Sequence, residues 1–262
     1  LLHSGKRKLP LISAGCPSIL NLIQIRFPNL MEHVVDYRPP VEVVASMARR
    51  EAERRHPDKK VGIFFIAPCT AKISFIKESD EVVDSDIDKM IAISDIYKQV
   101  LQNLEELKDE EIEDLEKAGM TGLRWPSPGG ESLSLQTDDF VAVDGIDKVI
   151  DIFEKIEDEK LDGLAFVETE ACRGGCFGGS LTVENSYSAK ANIKPLIDEA
   201  KEKYGERTLN LPGEEDELLR NRPLCYRPVL RLDEDLDVSL KKMEEMGRVL
   251  SSLPGIDCGV CG

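Results

Sequence analysis

Cysteine is the residue type in this chain best suited to chemistry, because its thiolate binds soft metals and takes part in redox exchange. The sequence holds seven cysteines, and they are not evenly scattered. Cys16 lies in Ala14-Gly15-Cys16-Pro17, and Cys69 in Pro68-Cys69-Thr70-Ala71-Lys72. Cys172 and Cys176 lie in Ala171-Cys172-Arg173-Gly174-Gly175-Cys176-Phe177-Gly178-Gly179. Cys16, Cys69 and Cys172 each follow a segment that reads as a β-strand. In open α/β sheets ligands bind outside the carboxyl ends of the strands, so three such ends can converge on one pocket. Cys176 follows Cys172 by four residues, and a helical turn there would face both thiolates the same way. Four thiolates would then meet at one point.

Four thiolates suit a [4Fe–4S] cluster or a zinc ion. Structural zinc sites use close CxxC pairs, and this set has one close pair, spaced CxxxC. A radical-SAM loop needs a third cysteine, with two residues between it and the second, and position 179 is glycine. Gly174, Gly175, Gly178 and Gly179 let the backbone approach a bulky inorganic ligand and point amides at its anionic sulfurs. Buried apolar cysteines are the competing explanation. It accounts for one cysteine, but not for three at strand ends beside Pro and Gly. Cys258 and Cys261 form a separate CGVC, which is half of a second cysteine-ligated cluster or a thioredoxin-type redox pair. The redox motif follows a strand and opens a helix. Here a helix and a Pro-Gly turn precede it, which favours half a cluster site. Cys225, between Leu224 and Tyr226, reads as packing.

The elements that must position these groups alternate between strand and helix. Leu9 to Ser13 reads as a short strand. Ser18 then caps a helix carrying Ile19, Leu20, Ile23 and Phe27, with Pro17 at its start. Val41 to Arg55 reads as a second helix. Val61 to Ala67 is apolar throughout, as in a strand covered on both faces. Ser94-Asp95 caps a helix from Ile96 to Leu107, and Asp109 to Lys117 reads as an acidic, solvated helix face. Trp125 to Gly130 is a loop. Phe140 to Val143 is a strand, Ile146 to Ile156 an amphipathic helix, and Leu164 to Val167 a strand ending in Glu168-Thr169-Glu170. Helices follow at Ile193 to Lys203 and Leu236 to Leu250, with a polar connector from Leu211 to Arg222 between them. Alternation of this kind gives an α/β architecture.

Composition narrows the function. The chain has 262 residues, enough to bury a core without disulfides. Its 34 basic and 50 acidic residues give a net charge of −16. That charge argues against a nucleic-acid partner and against an anionic membrane surface. No apolar run approaches the ~20 residues of a membrane span, and no signal peptide opens the chain. An acidic chain whose cysteines suit metal or redox chemistry reads as cytoplasmic. The ends, Leu1-Leu2-His3 and Cys258-Gly259-Val260-Cys261-Gly262, read as those of a fragment of a longer protein.

Taken together, the three strand-end motifs resemble the active-site domain of the [FeFe] hydrogenases. Ala14-Gly15-Cys16-Pro17 is similar to a first family signature, Ser-Cys-Cys-Pro. Pro68-Cys69-Thr70-Ala71-Lys72 matches a second residue for residue, and Ala171 to Cys176 with Gly178-Gly179 matches a third, Ala-Cys-Pro-Gly-Gly-Cys. Gly129-Gly130-Glu131 and Val141-Ala142-Val143 sit where the family has similar segments. The resemblance implies twisted, mostly parallel sheets flanked by helices, with an H-cluster at the strand carboxyl ends. That cofactor is a [4Fe–4S] cubane joined through one cysteine to a diiron unit bearing CO, cyanide and a dithiolate amine. Cys16, Cys69, Cys172 and Cys176 would ligate the cubane, with Cys176 bridging to the diiron unit. Lys72 would hydrogen-bond a cyanide, a charge-assisted contact. Gly15, Pro68 and Ala67 would face the cofactor. Residues 1–225 would form the H-cluster domain, N-terminally truncated, and 226–262 a connector helix leading into a truncated C-terminal [4Fe–4S] module that uses Cys258 and Cys261.

Departures from the family pattern carry their own implications. Gly15 stands where fast members have the cysteine that relays protons to the bridging amine. Ala67 replaces a frequent Met, and Val41 a Gln near the diiron unit. Glu170 replaces an apolar Met, and a buried carboxyl there is a candidate proton donor, with Glu168 the alternate. These changes resemble a sensory branch, whose C-terminal module begins Leu-Pro-Gly-x-Asp-Cys-Gly-x-Cys-Gly, as in Leu253 to Gly262. The resemblance therefore implies reversible, slow oxidation of H2 to protons and electrons under anaerobic conditions, in H2 sensing. It implies an electron partner or accessory clusters, dedicated maturation proteins and a signalling partner. The alternative within the superfamily is a non-catalytic protein with a cubane alone, acting in iron–sulfur assembly or binding. A zinc-binding α/β interaction module is a third reading.

Overall fold

Ile19, Leu20 and Ile23 recur at helical spacing, and they bury one face of helix α1 (Pro17–Arg26), with Phe27 buried just past its end. The helix starts two residues earlier than a Ser18 cap implies. Cys16 holds the cap position, and its carbonyl accepts from the amides of Ile19 and Leu20 at 3.0 and 3.1 Å. Pro17 fits the first turn because its missing N–H has no partner to lose there. Val149, Phe153 and Ile156 repeat the pattern on α6 (Ile146–Glu157). The Phe27 and Phe153 rings meet edge to face, 5.5 Å apart.

Both helices join the core built on a three-stranded parallel sheet. Its order is β1 (Leu11–Ile12), β5 (Phe166–Glu170), β4 (Phe140–Asp144). β5 lies in the middle, pairing Leu11 with Phe166 on one side and Phe140 with Phe166 on the other. Every residue of β5 is buried, including Glu168, Thr169 and Glu170. The strand runs past Val167, where the sequence pattern ends it. Its charged tail hides the continuation, which the β4 ladder carries to Asp144 opposite Glu170.

A second sheet pairs β2 (Phe64–Ala67) and β3 (Lys89–Ala92) in parallel. Only the last four residues of the apolar run form strand, and the run is not covered on both faces. Phe64 and Ile66, on one side of the pleat, are 58% and 49% exposed. Helix α2 (Pro40–Arg55) precedes this sheet, and α3 (Thr70–Glu78) follows β2 directly. The nine residues of α3 mix polar and apolar types too evenly to announce a helix. Helix α4 (Ile93–Glu106) leaves β3 without a gap, earlier than the Ser94-Asp95 cap implies, and the Ser94 amide donates to Leu181 O instead.

The short α5 (Met120–Arg124) precedes the loop at Trp125. Helix α7 (Ser186–Tyr204) is longer than expected, capped by the Asn185 side chain and continuous through Pro195. Part of the expected connector makes an isolated β-bridge. Tyr37 bridges Leu219 antiparallel, with Arg38 N donating to Leu218 O and Arg220 N to Asp36 O.

The computed structural model describes residues 8–78, 85–106, 118–135, 137–161, 163–205, 218–220, 223–228, 232–233 and 235–252. The acidic stretch at Asp109 to Lys117 and the Cys258–Cys261 pair lie outside these residues. The chain divides into two compact units, Leu1–Cys225 and Tyr226–Gly262. In the second, α8 (Leu236–Ser252) is capped by Asp235, whose Oδ1 accepts from Asp237 N at 2.8 Å. No helix among the described residues is long and apolar enough to cross a membrane.

Candidate metal centre

The carboxyl ends of β1, β2 and β5 border one cavity of about 120 Å³, lined by Cys16, Cys69, Cys172 and Cys176 together with Lys72 and Glu170. Each cysteine is held by its own local device. Cys16 caps α1 and Cys69 immediately precedes α3. Cys172 begins the turn after β5, and Cys176 sits in a 3-10 turn, Gly175–Gly178, rather than the helical turn expected from its spacing. The turn closes through Gly175 N to Cys172 O at 3.1 Å and Gly179 N to Cys176 O at 3.2 Å.

Two glycines let this turn approach its neighbours. Gly175 has φ +72°, and a Cβ there would lie 2.5 Å from Pro126 O. A Cβ on Gly179 would lie 2.3 Å from Pro68 O. The third cysteine motif thereby packs on the second, and Leu181 N donates to Pro68 O at 2.9 Å.

The sulfurs share a cavity wall without meeting at one point, which corrects the expectation of a single convergence. No group of three or more His, Cys, Asp or Glu among the described residues could hold one metal ion. A tetrahedral zinc, with Zn–S near 2.3 Å, needs tighter convergence. An all-sulfur donor set spread around a glycine cradle fits a larger iron–sulfur group. Lys72 Nζ lies 3.6 Å from Cys176 Sγ. Burial works against the Lys72 charge, but the cysteines 176, 69 and 16 outweigh it and raise its pKa. Burial pushes the Cys176 thiol up to about 11, opposed by Lys72. Burial likewise raises Cys172. Both thiols ionise at neutral pH when a metal centre takes the place of the proton.

Three carboxylates lie close by, and their surroundings separate them. Glu168 accepts from Gly129 N at 3.0 Å, Ser132 N at 2.8 Å and Ser132 Oγ at 2.6 Å. Its oxygens are engaged in holding the 129–132 turn, so its geometry is that of a brace. Glu170 Oε2 is buried with no hydrogen-bond partner. Burial pushes Glu170 up to about 8, the charges of Glu168 and Asp144 adding to the effect and Lys72 and Lys190 opposing it. Glu131 Oε2 accepts from the Ser13 hydroxyl, which in turn accepts from Gly15 N at 3.2 Å. Burial raises Glu131 to about 7, against the Ser13 hydrogen bond and with help from Glu168.

Of the other expected site residues, Gly15 and Pro68 line the cavity. Ala67 is fully buried at the end of β2 and is not among the lining residues, and neither is Val41 on α2. Cys225 is exposed rather than packed. Sequence reasoning missed Ser13, Trp125 and Thr169 as lining residues and gave Glu131 no role. The only signal for Glu131 was its place in Gly129-Gly130-Glu131.

The profile described as iron only hydrogenase large subunit, C-terminal domain, matches residues 1–137 and 104–180. No curated protein matches the chain. Among solved structures, one from work on [FeFe]-hydrogenase oxygen inactivation at the 2Fe subcluster is 17% identical, with TM-score 0.58, covering 86% of this chain and 78% of that one. HydA(deltaEFG), from work on stepwise H-cluster assembly, is 17% identical, with TM-score 0.56, over 83% and 76% of the two chains. A variant of HydA1 from Chlamydomonas reinhardtii is 17% identical, with TM-score 0.57, over 84% and 77%. The fold is theirs, and the profile spans more than half of the sequence: this chain belongs to the family formed by the C-terminal domain of the iron-only hydrogenase large subunit.

Proposed function

We propose that Cys16, Cys69, Cys172 and Cys176 hold the [4Fe–4S] cubane of an H-cluster, and that the protein reversibly oxidises H2 to two protons and two electrons, slowly and in the service of H2 sensing. The observation that carries this reading is the single cavity in which four cysteines from three strand ends meet Lys72 and an unpartnered carboxyl, Glu170. When bound, the diiron unit would supply the H2-binding and H2-cleaving chemistry, with Cys176 as its link to the cubane. Lys72 would place its ammonium beside that link and donate to an anionic ligand, where a buried charge-assisted bond is strong.

Gly15 offers no side chain to move a proton. Glu170 Oε2 is an unpartnered carboxyl oxygen at the cavity, and it takes that role in this reading. The Ser13–Glu131 pair, beside Gly15, is the next place a proton can rest. Glu168 holds the backbone under Glu131 rather than exchanging protons. Electrons would leave toward accessory clusters or a separate electron partner, and a second [4Fe–4S] site at Cys258 and Cys261 is part of the same proposal. Loading the diiron unit would call on maturation proteins, and the sensing role on a signalling partner.

Infrared spectroscopy on protein matured anaerobically tests the reading. Iron-bound cyanide and CO stretches that shift under H2 are the expected result. Iron and sulfide at cubane stoichiometry with no such bands would sink the hydrogenase assignment and favour the cubane-only, cluster-assembly alternative.

A further inference from the structure

The chain has one tryptophan, and Trp125 lines the cysteine cavity. It is half-buried, and it borders the cavity together with Cys16, Cys69, Cys172 and Cys176. The backbone around it is committed. Trp125 N donates to Thr121 O at 3.1 Å and Ser127 N to Arg124 O at 2.9 Å. Pro126 O accepts from Cys176 N at 2.9 Å. A few residues on, Gly129 N and Ser132 N are held by the buried carboxylate of Glu168. Close packing at Gly175 leaves Pro126 no room to move toward the cysteine turn. The loop that carries Trp125 is thus pinned on both sides, once to a cysteine of the site.

We infer that Trp125 is the access-determining residue of the cavity: its indole restricts what reaches the space beside the four cysteines. The inference rests on the proposed metal centre and deepens it. Trp125 touches no reacting atom in this scheme. It acts by occupying the wall, so loss of the ring widens the path while an aromatic replacement keeps it narrow.

Two measurements on the anaerobically matured protein decide the matter, with carbon monoxide as the probe. Trp125→Ala is expected to raise the association rate constant for CO by roughly threefold or more, and Trp125→Phe to stay within about twofold of the parent, because rates through a wall follow its packing. A Trp125→Ala rate equal to the parent's overturns the inference. The second measurement needs no variant. Loading iron and sulfide should remove most of the emission of the sole tryptophan, since an iron–sulfur chromophore against the ring drains its excitation. Full emission from protein with measured cubane iron and sulfide overturns the placement of Trp125, even where Trp125→Ala does not fold. Failure of the chain to bind iron and sulfide at all is a different result, and it removes the metal-centre reading on which the inference stands.

Discussion

A Cβ built at Gly15 would lie 3.5 Å from Ser13 Oγ and 3.7 Å from Glu131 Oε2, ordinary van der Waals separations. The position is therefore vacant without being closed, and Gly15→Cys should fold as the parent does. Its thiol would add a proton carrier between the cavity and the Ser13–Glu131 pair, so H2 turnover of the matured protein should rise. Unchanged turnover with an intact cluster would mean that the rest of the path is missing too. Glu170→Gln tests the residue already in place. An amide fills the same space and cannot exchange the proton, and turnover should drop by at least about tenfold with infrared bands intact, the scale of general acid–base help. Turnover equal to the parent's would remove Glu170 from the mechanism. Of these residues, sequence alone pointed to Gly15 and Glu170, because each breaks a motif at a fixed distance from a cysteine. Glu131 gave no such signal. It reaches the site through a contact with Ser13 across 118 positions, which no local pattern encodes.

At the scale of elements, the site depends on turns that hold strand ends together. Gly179→Ala would drive a Cβ to within 2.3 Å of Pro68 O, where backbone on both sides must give. The third cysteine motif should lift from the second, and iron bound per chain after reconstitution should fall together with the melting temperature. Parent-like iron binding would show that the contact is not what gathers the cysteines. Glu168→Ala removes the acceptor for Gly129 N, Ser132 N and Ser132 Oγ. Each donor left unsatisfied in the interior costs on the order of 1–3 kcal/mol, so denaturant unfolding should show a severe loss. A loss below about 1 kcal/mol would mean that water replaces the carboxylate. Helices with a clean apolar stripe, such as α6, were legible because Val149, Phe153 and Ile156 keep helical spacing. α3 and the end of β5 were not. α3 is held after Pro68-Cys69 with little amphipathic pattern of its own, and β5 buries carboxylates that sequence rules place in water.

For the molecule as a whole, buried acids couple the site to stability. Burial raises the Glu131 carboxyl from 4.5 to about 7. Glu42, on α2, is also raised by burial, against the Ser85 hydrogen bond and the Arg38 charge and with help from the Asp86 charge. An acid whose folded pKa exceeds its unfolded value binds its proton more tightly when folded, and its favourable contribution is complete below the unfolded pKa. That contribution is lost as pH rises through the folded value. Glu51, held down to about 2 by hydrogen bonds from Arg54 and Arg55, works in the opposite sense, but its window lies below 4.5. A net charge of −16 adds self-repulsion as pH rises. The metal-free protein should thus lose melting temperature as pH rises from about 4.5 to about 7, the interval set by the Glu131 shift. Glu131→Gln keeps the shape and removes the titration, so it should reduce that slope. Equal slopes for Glu131→Gln and the parent would place the Glu131 carboxyl in water rather than in the wall of the cavity. The Ser13–Glu131 pair would then have no part in carrying protons past Gly15.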